Sequence, residues 1–98
     1  MVLVMRTFSV IVTFRKTALK ALAAMQAERA RRIMDTLAQV AADPARKNNN
    51  LKPLVGIPSG YRLRIGDWRV SFTLDRTARV IDVFEVAPRG GAYRWRDH

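Results

Sequence analysis

The sequence contains no cysteine, and its single histidine, His98, is the last residue. Without cysteine, a disulfide framework and a zinc site built on thiolates are excluded. Without an internal histidine, a serine or cysteine nucleophile has no histidine base to activate it. The 8 acidic residues are scattered singly along the chain, so we expect neither a metal site nor a cofactor.

Long apolar runs and low-complexity tracts are also missing. No stretch approaches the roughly 20 apolar residues that a membrane-spanning helix needs. The apolar start of the chain is interrupted by polar residues and does not read as a signal peptide. We therefore expect a cytoplasmic protein without a membrane partner. The 98 residues, 49% of them hydrophobic, predict one folded domain over residues 1–98.

Positive charge is what the sequence has in excess. There are 18 lysines and arginines against 8 acidic residues, which gives a formal net charge of +10. Such an excess on one small domain raises its affinity for polyanions, because binding releases counterions. An acidic segment of a partner protein is a second class of ligand that this charge favours.

The pattern of apolar residues predicts an α+β domain with one small sheet. β-branched and aromatic residues indicate a first strand, and apolar residues at three- and four-residue steps then indicate two helices. Asp43 and Pro44 end the second helix, because proline disfavours helical backbone before it. The predicted elements are a strand at 7–14, a helical hairpin at 17–25 and 27–42, a loop at 45–59, and an antiparallel three-strand meander formed by a hairpin at 61–74 and a last strand at 79–86.

The most informative segment covers residues 61–70 and reads Y-R-L-R-I-G-D-W-R-V. Apolar residues alternate with arginines around a central Gly-Asp, which predicts two strands joined by a two-residue turn. Arg64 then lies opposite Arg69, and Arg62 follows on the same face. Like charges in direct opposition are unfavourable by up to roughly 1 kcal/mol. An anionic ligand is one explanation for the three arginines, and a solvated basic face is the other.

Arginine is the abundant residue type that could support chemistry. Guanidinium groups match phosphate geometry and stay charged at any working pH. An arginine array can therefore bind a phosphodiester and stabilise the charge that develops during in-line attack. RNA carries its own nucleophile, the 2′-hydroxyl, and a tyrosine among arginines is a plausible base because positive neighbours favour its phenolate form. These residues permit a ribonuclease, whereas exposed aromatic stacking pairs typical of single-strand readers are lacking.

Five segments of the sequence together form a wider pattern. They are A-L-K-A-L at 18–22, D-P at 43–44, L-K-P-L at 51–54, G-Y-R-L-R-I-G-D-W-R-V at 60–70 and V-A-P-R-G-G-A-Y-R at 86–94. The pattern spans nearly the whole chain and resembles the RelE/ParE superfamily of toxins from type II toxin–antitoxin modules. The resemblance implies a cognate antitoxin, and the charge of +10 predicts that its toxin-binding segment is acidic.

The RelE-like branch of the superfamily implies an activity and a set of site residues. Its members cleave messenger RNA on the ribosome by attack of the 2′-hydroxyl, without metal, and so block translation. The implied residues are Lys52, Arg62 and Arg64 for binding RNA phosphates, Arg69 for stabilising charge in the transition state, Arg89 for assisting the leaving oxygen and Tyr93 as the base on the 2′-hydroxyl.

The ParE-like branch implies a different activity on the same fold. Its members share the basic hairpin but inhibit DNA gyrase by binding it, without nuclease chemistry. Tyr93, placed after Arg89 at the family spacing, favours the nuclease. Two positions depart from the nuclease pattern: Lys52 stands where some relatives carry a carboxylate base, and Pro88 stands where many carry a histidine.

Overall fold

Two helices lie against one face of a six-stranded sheet in the computed structural model of the protein. The structure describes residues 3–7, 10–44 and 46–88, with side chains from residue 10 onward. The elements are β1 (Leu3–Thr7), β2 (Val10–Phe14), α1 (Lys16–Ala24), α2 (Ala27–Ala42), β3 (Leu51–Pro53), β4 (Gly60–Ile65), β5 (Trp68–Asp75) and β6 (Val80–Pro88).

The last strand lies in the interior of the sheet, whose order is β1-β2-β6-β5-β4-β3. Strand β6 pairs antiparallel with β5 and parallel with β2. Strands β4, β5 and β6 form the predicted antiparallel meander, and the predicted α+β class is confirmed. Strands from the two ends of the described chain are therefore neighbours, and the short strand β3 forms one edge.

The helical hairpin is also confirmed, with its break where the sequence predicts it. Met25 and Gln26 have extended backbone and separate α1 from α2. The apolar stripes of both helices pack against the sheet, where Leu22, Ile33 and Leu37 are buried. Burying each such side chain contributes roughly 1.5–3 kcal/mol. Within the described ranges, no helix combines the length and the apolar character needed to cross a membrane.

Two sequence predictions need correction at the level of strands. Instead of the single strand predicted at 7–14, the structure has two strands: β1 ends at Thr7, and β2 begins at Val10. The segment 45–59, predicted as a loop, contains β3, whose residues Leu51–Pro53 pair antiparallel with β4. A strand of three residues is too short to show an alternating pattern in the sequence. Its last residue, Pro53, is tolerated because proline can occupy edge strands.

Candidate functional site

The basic hairpin has the register that the sequence predicts. Arg64 pairs with Arg69 and Leu63 with Val70 across the turn at Gly66. Gly66 has a φ of +59°, and as the first central residue it gives the type II′ geometry that matches strand twist. Leu63 and Val70 are buried under the helices. Because side chains alternate between faces, the arginines lie on the opposite, outer face of the sheet.

Polar side chains form two adjacent rows across this outer face. The residues of each row are cross-strand neighbours in the sheet, although most of them are far apart in the sequence. The first row is Lys52 on β3, Arg62 on β4, Ser71 on β5 and Glu85 on β6. The second consists of Arg64 on β4 and Arg69 on β5, and it ends at the apolar Ala87 on β6.

A groove opens over the basic ends of the two rows, with a volume of about 390 Å³. We call it the basic groove. Its lining consists of Asn49, Asn50, Lys52, Pro53, Leu54, Arg62, Arg64 and Arg69. Four of these eight residues are cations and none is acidic, so the groove is suited to an anion that contacts several guanidinium groups at once.

Arg62 is partly buried in the sheet face beside the basic groove. Its Nε is buried and has no hydrogen-bond partner within the described part of the chain. Buried polar groups in folded proteins are almost always paired. Arg62 is also a lining residue of the basic groove, where its guanidinium is suited to a phosphate, since charge-assisted bonds between guanidinium and phosphate are strong.

A buried carboxylate lies in the same row as Lys52 and Arg62. Glu85 is 8% exposed, and the fully buried hydroxyl of Ser71 donates to its Oε1 over 3.1 Å. In the sequence, Glu85 interrupts an otherwise apolar stretch at 83–86, and no site role was predicted for it. That interruption was the available signal, because an acidic residue between Phe84 and Val86 has to be accommodated by polar partners when the strand is interior.

The other acidic residue of β6 is committed to a different contact. Asp82 receives a bond of 2.8 Å from the Thr13 hydroxyl and one of 2.9 Å from Nε of Arg15. The side chains of Arg15 and Asp82 are 64% and 29% exposed, so this ion pair contributes little to stability. Asp82 therefore links β6 to β2 and is not part of the basic groove.

A turn of three asparagines forms one wall of the basic groove. The side-chain oxygen of Asn48 accepts from the N–H of Asn50 over 2.9 Å. The carbonyl of Asn50 in turn accepts from the N–H of Arg64 over 3.0 Å. This turn is thus fixed to β4 beside the arginines. Residues 48–50 lie in the segment predicted as a loop, and no site role was predicted for them.

The six residues predicted for the site divide into two groups. Four of them, Lys52, Arg62, Arg64 and Arg69, meet in the basic groove. The remaining two, Arg89 and Tyr93, lie outside the described residues. Arg29 and Arg32 of α2 lie at the other side of the hairpin tip, where they line a small hollow with Gly66 and Trp68.

The chemistry open to the described site is binding and charge stabilisation. Among the described residues, no group of three or more histidine, aspartate or glutamate side chains could hold a metal ion. The groove offers guanidinium and ammonium donors instead. These can orient a phosphodiester and stabilise negative charge on its oxygens.

Comparison with known proteins gives a family match over most of the chain. Residues 12–93 match a family described as the ParE toxin of type II toxin–antitoxin systems. A search of curated proteins finds no match.

Solved structures of similar fold are named RelE rather than ParE. RelE in the archaeal RelE–RelB complex of Pyrococcus horikoshii is 26% identical, with a TM-score of 0.68, over 84% of this chain and 97% of that one. The toxin–antitoxin complexes of Escherichia coli RelBE and of Methanococcus jannaschii RelB–RelE show a similar fold. Their identities are 22% and 21%, and their TM-scores are 0.62 and 0.60. The matches cover 79% and 85% of this chain, and 93% and 96% of theirs.

Proposed function

The chain belongs to the ParE toxin family of type II toxin–antitoxin systems, and we propose that it acts as a metal-independent endoribonuclease that cleaves messenger RNA on the ribosome. The observation that carries this proposal is the basic groove, in which Lys52, Arg62, Arg64 and Arg69 meet although they come from three strands. Similarity to RelE at 26% identity over nearly the whole of that chain supports the same branch.

The proposed roles divide the basic groove into binding and catalysis. Lys52, Arg62 and Arg64 bind phosphates of the RNA, and the presence of all three in the lining of the basic groove supports this role. Arg69 stabilises the negative charge that develops on the phosphate in the transition state. Such preorganised donors typically contribute factors of about 10²–10³ to kcat.

The proposed base and the residue that assists the leaving oxygen belong to the segment that follows β6. Tyr93 accepts the proton of the 2′-hydroxyl, and the 2′-oxygen attacks the adjacent phosphorus. As the P–O2′ bond forms, the P–O5′ bond breaks, and Arg89 stabilises the charge on the leaving 5′-oxygen, which takes up a proton from water. The other product ends in a 2′,3′-cyclic phosphate. No metal is needed, because arginines supply the charge stabilisation and the RNA supplies the nucleophile.

A cognate antitoxin and a cytoplasmic location complete the proposal. The RelE proteins compared above were crystallised with their RelB antitoxins. We propose that an acidic segment of this toxin's antitoxin covers the basic groove, because the toxin carries a formal charge of +10.

Inhibition of DNA gyrase is the second candidate function. The observation that favours it is the description of the matched family, which is that of ParE. In that case the groove arginines contact an acidic surface of the target, and no bond is broken.

Purified toxin, tested in parallel on translating ribosomes and on gyrase supercoiling, separates the two candidates. We expect new messenger RNA 5′ ends within codons and unchanged supercoiling. Arg69→Ala is expected to lower kcat about 10²–10³-fold with a small change in KM, since its role is in the transition state. Arg62→Ala is expected to act mainly on KM.

The matched control for these variants is Arg31→Ala, an exposed arginine on α2 that does not line the basic groove. It should keep both constants close to those of the wild type. Intact message together with loss of gyrase supercoiling would contradict the nuclease and establish the second candidate.

A further inference from the structure

An apolar loop apex lies between β3 and β4. Residues 53–58 read P-L-V-G-I-P, and none of them has a polar side chain. We call this segment the apolar apex. Val55 is 100% exposed and Ile57 is 37% exposed, and Gly56 and Pro58 beside them are exposed as well. Runs of exposed apolar residues are unfavourable in water and mark sites of interaction with a partner.

Backbone hydrogen bonds fix the apolar apex to the sheet. The N–H of Leu54 donates to the carbonyl of Gly60, and the N–H of Gly60 donates to the carbonyl of Ile57, each over 2.9 Å. The N–H of Leu74 on β5 donates to the carbonyl of Ser59 over 3.0 Å. The loop is therefore closed and preorganised, which lowers the conformational entropy that a partner has to overcome on binding.

The two large apolar side chains of the apex differ in what they contact. A Cβ built at Gly60 would lie 2.6 Å from Cγ2 of Ile57, so the Ile57 side chain packs directly on the backbone of Gly60. Gly56, with a φ of +82°, supplies the left-handed backbone that turns the chain between Val55 and Ile57. Val55, by contrast, is 100% exposed. Its side chain can therefore be buried only by a partner.

The apolar apex is continuous with the basic groove. Pro53 and Leu54 belong to the apex and also line that groove, next to Lys52. The lining of the groove has four cations and no acidic residue. A ligand that spans both surfaces therefore has to combine negative charge with apolar groups.

This combination favours a polypeptide over a nucleic acid. Proteins bind unpaired bases by stacking them on aromatic rings or guanidinium planes, and residues 53–58 include neither. An aliphatic side chain is buried favourably against other apolar side chains. Carboxylates of the same polypeptide segment would complement the cations of the groove.

We infer that the apolar apex and the basic groove together dock one polypeptide segment, which carries apolar side chains next to carboxylates and belongs to the antitoxin. The inference rests on the proposed contact between the groove and an acidic antitoxin segment, and it adds the apolar part of that contact. RNA shares the groove with this segment but leaves the apex uncovered. Substitution of Val55 should therefore separate the two ligands.

Selection of peptides from a random library displayed on phage, with purified wild-type toxin as the target, tests this chemistry. We expect the selected peptides to be enriched in aspartate and glutamate and, at nearby positions, in leucine, isoleucine, valine and phenylalanine. One selected peptide is then synthesised and titrated against toxin variants. Val55→Ser is expected to raise its Kd about tenfold, because the complex no longer buries the valine methyl groups. Val55→Leu should keep Kd close to that of the wild type.

Three comparisons separate the apex from the groove and from the fold. Arg64→Ala should weaken binding of the peptide and of RNA alike, whereas Val55→Ser should leave binding of a non-cleavable RNA unchanged. Ala23→Ser, at an exposed position of α1 that does not line the groove, should affect neither ligand. Because Val55 is exposed, its variants should unfold at the same temperature as the wild type.

The outcomes distinguish this inference from the groove contact on which it rests. Acidic binders without apolar enrichment, or equal peptide Kd values for wild type and Val55→Ser, would support the groove contact and show that the inference is wrong. Weaker RNA binding by Val55→Ser would make the apex a nucleic-acid contact and also overturn it. Binders without acidic enrichment, or no binders, would contradict the groove contact itself, and the inference would fail with it.

Discussion

At the scale of single residues, Glu85 is the least expected member of the outer face. A buried carboxylate is costly unless hydrogen bonds or charges compensate for its desolvation. Here the buried Ser71 hydroxyl donates to it, and Lys52 and Arg62 lie in the same row of the sheet. Glu85 therefore combines two effects that can be measured separately, one on folding and one on anion binding.

The contribution of Glu85 to folding can be measured with two substitutions. Glu85→Ala is expected to lower the free energy of unfolding by about 1–3 kcal/mol, because the buried Ser71 hydroxyl loses its acceptor. Glu85→Gln should cost less, since the amide oxygen can still accept from Ser71. Urea denaturation measures both values.

The control is Asp35→Ala on an exposed position of α2, for which a change within about 0.5 kcal/mol is expected. Equal losses for the alanine and glutamine variants would contradict the role of the hydrogen bond.

The effect of Glu85 on anion binding has the opposite sign. Removing a negative charge from the row that contains Lys52 and Arg62 should strengthen RNA binding, so Glu85→Gln is expected to lower Kd about two- to fivefold, the range of modest charge interactions. A short RNA that lacks the 2′-hydroxyl at the cleavage position allows binding to be measured without turnover. Unchanged or weaker binding would show that Glu85 instead holds the arginines in a binding arrangement.

At the scale of elements, the β4–β5 hairpin carries three of the four groove cations. Its turn depends on Gly66, whose φ of +59° is left-handed backbone. A Cβ at Gly66 would meet only Nη1 of Arg32, at 3.9 Å, so the obstacle to a side chain is conformational rather than steric.

Substitution at this turn should therefore affect stability by a predictable amount. Gly66→Ala is expected to lower the free energy of unfolding by about 1–2 kcal/mol, the cost of left-handed backbone for an L-residue. Asp67→Ala, at the neighbouring exposed position, is expected to be close to neutral. Thermal unfolding of the two variants gives the comparison, and equal midpoints would show that the turn readily adopts another geometry.

The hairpin of the sheet was predictable from the sequence, whereas its edge strand and its buried polar pair were not. The hairpin register was predictable because alternation fixes both the faces and the cross-strand partners of Arg64 and Arg69. Strand β3 was not predictable, because its three residues acquire a partner only through β4. Lys52 of β3 was therefore assigned to the site only by family resemblance. The Ser71–Glu85 bond was not predictable either, because it depends on the β5–β6 register, which shifts just after Ser71.

At the scale of the whole molecule, charge should govern how the toxin meets its ligands. With a formal charge of +10, binding to RNA is expected to weaken steeply as salt is added. For single strands the slope of log K against log salt is about 0.7 for each phosphate contact. Arg62→Ala or Arg64→Ala should each reduce the slope by about that amount, and Lys20→Ala should not. Binding that weakens little between low and high salt would contradict the electrostatic part of the proposal.

The interior position of β6 also determines when the sheet can be completed during synthesis of the chain. Strand β2 finds its parallel partner only in β6, almost 70 residues later in the chain by the pairing of Ile11 with Val80. A nascent chain that has emerged only as far as β5 already holds all four groove cations but lacks the strand that joins β5 to β2. Pairings between such distant segments form slowly. The sheet that carries the basic groove is thus completed only after β6 has been made, so any partner that binds β2 or β5 earlier meets strands that still lack their neighbour.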